Sequence, residues 1–177
     1  MSKIYFSGRE MIMEGVEVLF GSFRNFSGAK GMYNAEGQRS FNIQIDPEYI
    51  PMMINNGINV KYFKSDIDDE DQDEKPGFVR VKVNYASMRP PIAYVRYGEN
   101  GKFVELNELT IGQLDHAVFD NVDLILNPSR YEVNGSTGTS LYLNKGYFTL
   151  HVDPLAAKYE RMMQEEKSDD NEEVPFA

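Results

Sequence analysis

Apolar and polar residues alternate along most of residues 12–152, which is the period of a β-strand with one buried face. From Phe78 to Tyr85, valines alternate with Arg80, Lys82 and Asn84, so one face of this segment is apolar and the other polar. Similar patterns predict further strands at 16–20, 41–45, 59–64, 92–97, 103–106, 117–126, 129–133 and 140–151. The chain is therefore predicted to be mainly β.

Helix signals are few. Asp46-Pro47 and Asn56-Gly57 are start and stop signals that enclose one short helix. Thr110 is placed to cap a helical turn. Asp153-Pro154 opens the clearest helical pattern, which is expected to run over 153–166. One or two short helices and a C-terminal helix are thus added to the strands.

Glycine-rich and polar loops separate the predicted strands. They lie at 27–38 and 134–139, and Asn100-Gly101 favours a hairpin between 92–97 and 103–106. Five or more strands, an early helix and hairpin loops fit a small Greek-key barrel. Periodicity alone leaves a β-sandwich open as the alternative.

Composition favours one domain, 1–152, followed by appendages. The chain has 177 residues, is 41% hydrophobic and carries 11 Phe and 11 Tyr, enough apolar material for a core. It has no cysteine, which excludes disulfides and thiolate metal sites. No segment is apolar over the length of a membrane span, and no secretory signal is visible at the N-terminus. A cytoplasmic location without membrane attachment is expected.

The net charge of -10 is distributed unevenly. Seven acids and no base lie within 66–74, inside a loop at 65–77 that we expect to be solvated and mobile. Another seven acids lie within 160–177. The rest of the chain has 14 acids and 16 bases, so its net charge is about +2. Because the local electric field, and not the total charge, attracts a polyanion, the chain outside these two acidic segments is compatible with binding one.

No catalytic or metal-binding pattern is present. The spacing of the acids in 66–74 does not match a calcium-binding loop, and His116 and His151 have no partner motif. Nucleotide-binding and nucleophile motifs are also missing from the sequence. The sequence predicts a protein that is not an enzyme and uses no cofactor and no metal.

The C-terminus is an acidic peptide with an apolar end. Residues 167–177 have no apolar period, and we expect them to be disordered and available to a partner. The residues predicted to bind that partner are Asp169, Asp170, Glu172, Glu173, Val174, Pro175 and Phe176.

This ending resembles the C-terminal tip of bacterial and phage single-stranded-DNA-binding proteins, an acidic run closing on Pro-Phe. In that family the Phe normally ends the chain, whereas here Ala177 follows. Segments 23–28, 39–41 and 122–135 look like parts of the phage-encoded variety. The resemblance implies an OB-fold-like five-stranded Greek-key barrel that binds and protects single-stranded DNA in phage replication and recombination, in the cytoplasm of a bacterial host cell. It also implies that the tail recruits replication or recombination proteins, and it leaves a homo-oligomer open.

Aromatic and cationic residues interleave as single-strand binding requires, since bases stack on rings and phosphates follow cations. In OB-folds the loops joining strands 1–2 and 4–5 line the groove, and the predicted loops 27–38 and 134–139 correspond to them. The same aromatics also suit a core, where Phe20, Phe41 and Phe148 are expected. The predicted DNA-binding residues are Arg24, Phe26, Lys30, Tyr33, Arg39, Lys61, Phe63, Arg80, Lys82, Tyr94, Arg96, Arg130, Tyr131 and Tyr142.

Two other functions are compatible with the sequence. One is a protein-interaction scaffold or anti-host protein whose acidic segments mimic DNA. The weaker one is a metal-dependent nuclease, for which no carboxylate–histidine cluster is visible in the sequence. Binding to dT oligonucleotides distinguishes both from a single-strand-binding protein.

Overall fold

The computed structural model describes residues 2–32, 34–64, 70–155, 158–159 and 162–163. The strands are β1 Lys3–Ser7, β2 Glu10–Glu14, β3 Glu17–Val18, β4 Arg24–Asn25, β5 Arg39–Ile45, β6 Lys61–Tyr62, β7 Gly77–Val83, β8 Ile92–Tyr97, β9 Val104–Leu106, β10 Phe119–Val133 and β11 Ser136–Leu150. The helix α1 spans Ile50–Asn55, and 3₁₀ turns span Gly21–Phe23, Pro47–Tyr49, Gln72–Glu74 and Ile111–His116.

Several predicted features lie outside the described residues. They are Tyr33, residues 65–69 of the acidic loop and the tail at 167–177. In the predicted C-terminal helix, residues 154, 155, 158, 159, 162 and 163 are helical. Among the described residues, no helix has the length and apolar character needed to cross a bilayer.

The fold is mainly β, as predicted, and one sheet contains all the named strands. Its main path runs β1-β2-β10-β11-β7-β5-β3, with β4 beside β5, β6 beside β7, and β8 between β11 and β9. Most neighbours are antiparallel, but β7 and β8 both pair in parallel with β11. The β1–β2 hairpin was not predicted, whereas the helix before Gly57, the turn after Thr110 and the β8–β9 hairpin are confirmed.

The sheet is not closed into the barrel that the resemblance implied. At the seam between β3 and the start of β10, a backbone hydrogen bond runs from the Val16 N–H to the Val122 carbonyl, at 3.1 Å. Beside it lies a cavity of about 370 Å³ that the side chain of Arg24 enters. An arginine therefore bridges this part of the seam, where a barrel would have a strand ladder.

The β10–β11 hairpin is longer than predicted. The strands predicted at 117–126 and 129–133 form one strand that continues through Pro128. A proline is tolerated there because β2 pairs only with residues 124–126, so the edge of β10 that faces away from β11 needs no N–H donor at residue 128. The predicted loop 134–139 is a two-residue turn at Asn134-Gly135, both with positive φ, and residues 136–139 belong to β11. The hairpin consequently ends in an arm, residues 129–137, that is exposed on both faces.

The core lies on the inner face of the curved sheet. Phe26, Phe41 and Phe148 are fully buried at its centre, with the rings of Phe26 and Phe41 stacked at 4.6 Å between centroids. Phe20 was expected in this core but is 57% exposed, and its ring lies against the guanidinium of Arg24. The exposed side chains of β7, Arg80 and Lys82, lie on the outer face.

Candidate nucleic-acid interface

A groove of about 710 Å³ opens on the outer face of β5 and β7. The odd-numbered residues from 41 to 45 of β5 face the core, so Ser40 and Asn42 face the groove. The antiparallel register places Ser40 opposite Lys82 and Asn42 opposite Arg80. Paired strands therefore bring the two predicted cations to the floor of one groove.

The two cations differ in what holds them. Lys82 Nζ donates to Ser140 Oγ at 3.4 Å and lies 5.8 Å from the ring centroid of Tyr142. Arg80 is exposed and makes no hydrogen bond or ion pair with any residue that the structure describes. An unpaired guanidinium in a groove is available to a phosphate oxygen.

The arm adds a second aromatic ring to this face. Tyr131 pairs with Gly138, and Gly138 shares a strand face with Ser140 and Tyr142. The ring of Tyr131 lies directly over Gly138, in space that a β-carbon would occupy. Tyr131 and Tyr142 thus lie on the same face of the hairpin, with the ring of Tyr131 against the strand at Gly138.

An aromatic cluster borders the other end of β7. Phe78 shares the face of Arg80 and packs between Phe23 and Phe63, at 5.2 and 5.1 Å between ring centroids. Lys61 lies opposite Phe78 on β6 and so belongs to the same face. The sequence predicts Lys61 and Phe63 as binding residues but not Phe78, although the even-numbered position of Phe78 in β7 matches those of the two cations.

Comparison with known proteins decides the family. The family described as "Putative phage ssDNA-binding domain" matches residues 1–174. The chain belongs to this family. No curated protein matches the sequence.

Two solved structures share this fold. One is the single-stranded DNA-binding protein from bacteriophage Enc34 in complex with ssDNA, with a TM-score of 0.51 and 13% identity over 84% of this chain and 90% of that one. The other is a C-terminal truncation of the Enc34 protein, with a TM-score of 0.50 and 13% identity over 84% and 89% of the two chains. At these identities the likeness concerns the fold alone.

Arg39 forms one wall of the groove in this phage ssDNA-binding domain. Its guanidinium pairs with Glu108 at 3.4 Å and lies 5.2 Å from the ring centroid of Tyr85. Arg39 Nε and Tyr85 Oη are both buried and have no hydrogen-bond partner among the described residues. Burial raises the pKa of Tyr85, an effect that the charge of Arg39 opposes and that of Glu108 supports. Arg39 therefore keeps an unused donor beside the groove.

Arg24 and Phe26 are corrections to the predicted site. Phe26 is fully buried against Phe41, so no base can reach it. Arg24 is 5% exposed and donates to the carbonyls of Val18, Leu19, Leu114 and Ala117. Burial lowers the pKa of Arg24, and Asp115 partly offsets this. Arg24 borders the groove, but its guanidinium is hydrogen-bonded at the seam, which alternation along a strand could not reveal.

The remaining predicted residues lie at other places. Lys30 is exposed in the glycine-rich loop, and Tyr33 is outside the described residues. Arg130 lies on the arm face opposite to that of Tyr131. Tyr94 and Arg96 lie on β8, beyond the end of the groove.

Proposed function

We propose that this protein binds single-stranded DNA without sequence preference and protects it during phage DNA replication and recombination. The observation that carries the proposal is the outer face of β7, where Arg80 and Lys82 lie between the Phe78 cluster and Tyr142. Cations beside rings form the kind of surface on which phosphates are neutralised and bases stack. Membership of the phage ssDNA-binding domain family supports the same function.

Bases and phosphates are expected to follow different strands. The groove face of the arm and of the adjoining part of β11 carries no charge, because it consists of Ser129, Tyr131, Val133, Ser136, Gly138, Ser140 and Tyr142. The cations lie next to it, on β7 and β5. We therefore place the bases against the arm and the phosphates over β7, since rings and hydroxyls suit bases and guanidinium and ammonium groups suit phosphates.

A salt series on labelled dT oligonucleotides and on duplex DNA tests this function. Because few cations line the groove, we expect two to four counterions to be released on binding, a slope of about -1.4 to -2.8 in log affinity against log salt. Duplex DNA is expected to bind more weakly, since its bases cannot stack on the rings. Equal affinity for duplex, or no binding to dT at low salt, would contradict the proposal.

Tyr131 supplies a sharper prediction through its contact with Gly138. Replacing Tyr131 with Ala is expected to weaken dT binding by about 1–3 kcal/mol, the range for one lost stacking contact. Gly138→Ala is expected to weaken binding too, because the new methyl group displaces the ring of Tyr131 although the tyrosine itself is still present. Fluorescence anisotropy on both variants measures the effect.

The control for this pair is Arg130→Ala, on the other face of the arm. It is expected to change affinity less than either Tyr131→Ala or Gly138→Ala. Thermal unfolding of all three should resemble that of the wild type, since the arm is exposed. If Gly138→Ala binds dT as tightly as the wild type, the position of the Tyr131 ring does not matter for binding.

Partner recruitment is assigned to the acidic tail. Deleting residues 168–177 is expected to leave dT affinity equal or higher at low salt, because it removes four acidic residues from a protein whose ligand is a polyanion. The same deletion is expected to abolish capture of phage or host replication proteins. Pull-down and anisotropy on one preparation measure both effects, and a truncated protein that still captures the partner overturns the assignment.

A further inference from the structure

The β10–β11 pairing contains a bulge that changes which side chains face outward. Ile125 pairs with Lys145 and Leu126 with Leu143, so Asn144 is an extra residue on β11. Without the bulge, strict alternation from Tyr142 would turn Tyr147 toward the core. With it, Gly146 and Phe148 are buried, and Tyr147 faces outward like Tyr142.

The bulge therefore aligns an aromatic, a cation and an aromatic along the outer face of β11. Lys145 lies between Tyr142 and Tyr147, on the face of its partner Ile125 and away from the buried Leu124 and Leu126. It makes no hydrogen bond or ion pair within the described part of the chain. From Tyr142 to Tyr147 the strand advances by about 15 Å.

Tyr147 is held in place by its own surroundings. Its ring stacks on that of Tyr94 from β8, at 5.3 Å between centroids and 14° between planes. Phe103 meets it edge-on at 5.6 Å, and the guanidinium of Arg96 lies over Phe103. A ring fixed on its strand is ready to stack on a base without loss of side-chain freedom.

We propose that Tyr142, Lys145 and Tyr147 form a second segment of the single-strand path, which leaves the groove along β11 and ends on the Tyr94–Tyr147 platform. The inference rests on the proposed function and extends its site. Three features support it: β11 is continuous past both β7 and β8, the residue between the rings is an unpaired cation, and both rings lie on the side away from the core.

The charges around the platform set the direction of the phosphates. Glu105 lies opposite Tyr94 on β9, and Asp123 lies opposite Tyr147 on β10, so a carboxylate borders the platform on each side. Phosphates are repelled by both carboxylates and attracted to Lys145, which precedes Tyr147 on β11. A base on Tyr147 then has its phosphate toward Lys145, along β11.

A length series of dT oligonucleotides tests the second segment. An oligonucleotide of about 5 nucleotides is expected to occupy the groove alone, and one of about 15 nucleotides is expected to reach both segments. Both lengths lie within the range of binding-site sizes of single OB-fold domains. Lys145→Gln and Tyr147→Ala are each expected to weaken binding of the long oligonucleotide at least about fivefold. Both are expected to bind the short one within about twofold of wild-type affinity.

The matched controls are Lys3→Gln, an exposed lysine on the distant β1, and Tyr97→Ala, an exposed tyrosine at the end of β8 that contacts Gln113 instead. Neither control should change the affinity for either oligonucleotide. Thermal unfolding shows whether Tyr147→Ala remains folded, whereas Lys145→Gln removes no buried group. Wild-type binding of the long oligonucleotide by Lys145→Gln and by folded Tyr147→Ala overturns the inference, as does equal loss on both lengths. Failure of the wild type to bind either oligonucleotide refutes the proposed function itself.

Discussion

The double variant Arg80→Ala/Lys82→Ala is expected to lose roughly a hundredfold in dT affinity at low salt. Each side chain is placed to donate to a phosphate, and a hydrogen bond to a charged group is worth about 1.5–3 kcal/mol, so at the lower end of this range two losses amount to about 3 kcal/mol. The slope of log affinity against log salt should also become shallower by about 1.4, which is 0.7 for each phosphate no longer neutralised on a single strand. Anisotropy at several salt concentrations measures both quantities.

A matched control is Lys3→Ala/Arg9→Ala, which makes the same change in net charge on the β1–β2 hairpin. That hairpin is separated from β7 by β10 and β11. The control should keep the wild-type slope and most of the affinity. A similar loss in the two double variants would mean that overall charge, and not the groove, attracts the DNA.

Much of this interface could be predicted because a short-range pattern sets it. The alternation in β7 assigns Arg80 and Lys82 to one face, which is the outer face that lines the groove. The tail and the segments 23–28, 39–41 and 122–135 indicated a family resemblance, which the family match confirms. These features depend on residues close together in sequence, where strand period and turn chemistry are decisive.

The failures share a different cause, which is long-range geometry. Arg24 and Lys82 look alike as cations next to apolar neighbours, but only the packing of β4 against the seam shows that Arg24 is buried. Phe26 resembled a stacking residue for the same reason. The bulge that turns Tyr147 outward depends on the register between the two strands of the β10–β11 hairpin, far from its turn, and no local pattern marks it.

The second large effect is expected on replacing Arg24, and it concerns the stability of the fold, not DNA binding. Its guanidinium bridges the open seam, where it satisfies the carbonyls of Val18 and Leu19 on one side and of Leu114 and Ala117 on the other. Methionine fills similar space but donates nothing, so several carbonyls would be left buried without a partner.

At about 1–3 kcal/mol for each orphaned group, Arg24→Met is expected to lower the free energy of unfolding by about 3 kcal/mol or more. This corresponds to a Tm lower by about 6–12 °C in a domain of this size. Arg9→Met, at an exposed turn, should change Tm little. Below its Tm the Arg24→Met protein should bind dT as the wild type does, because its guanidinium is committed to the seam. Weaker dT binding with an unchanged Tm would instead assign Arg24 to the DNA.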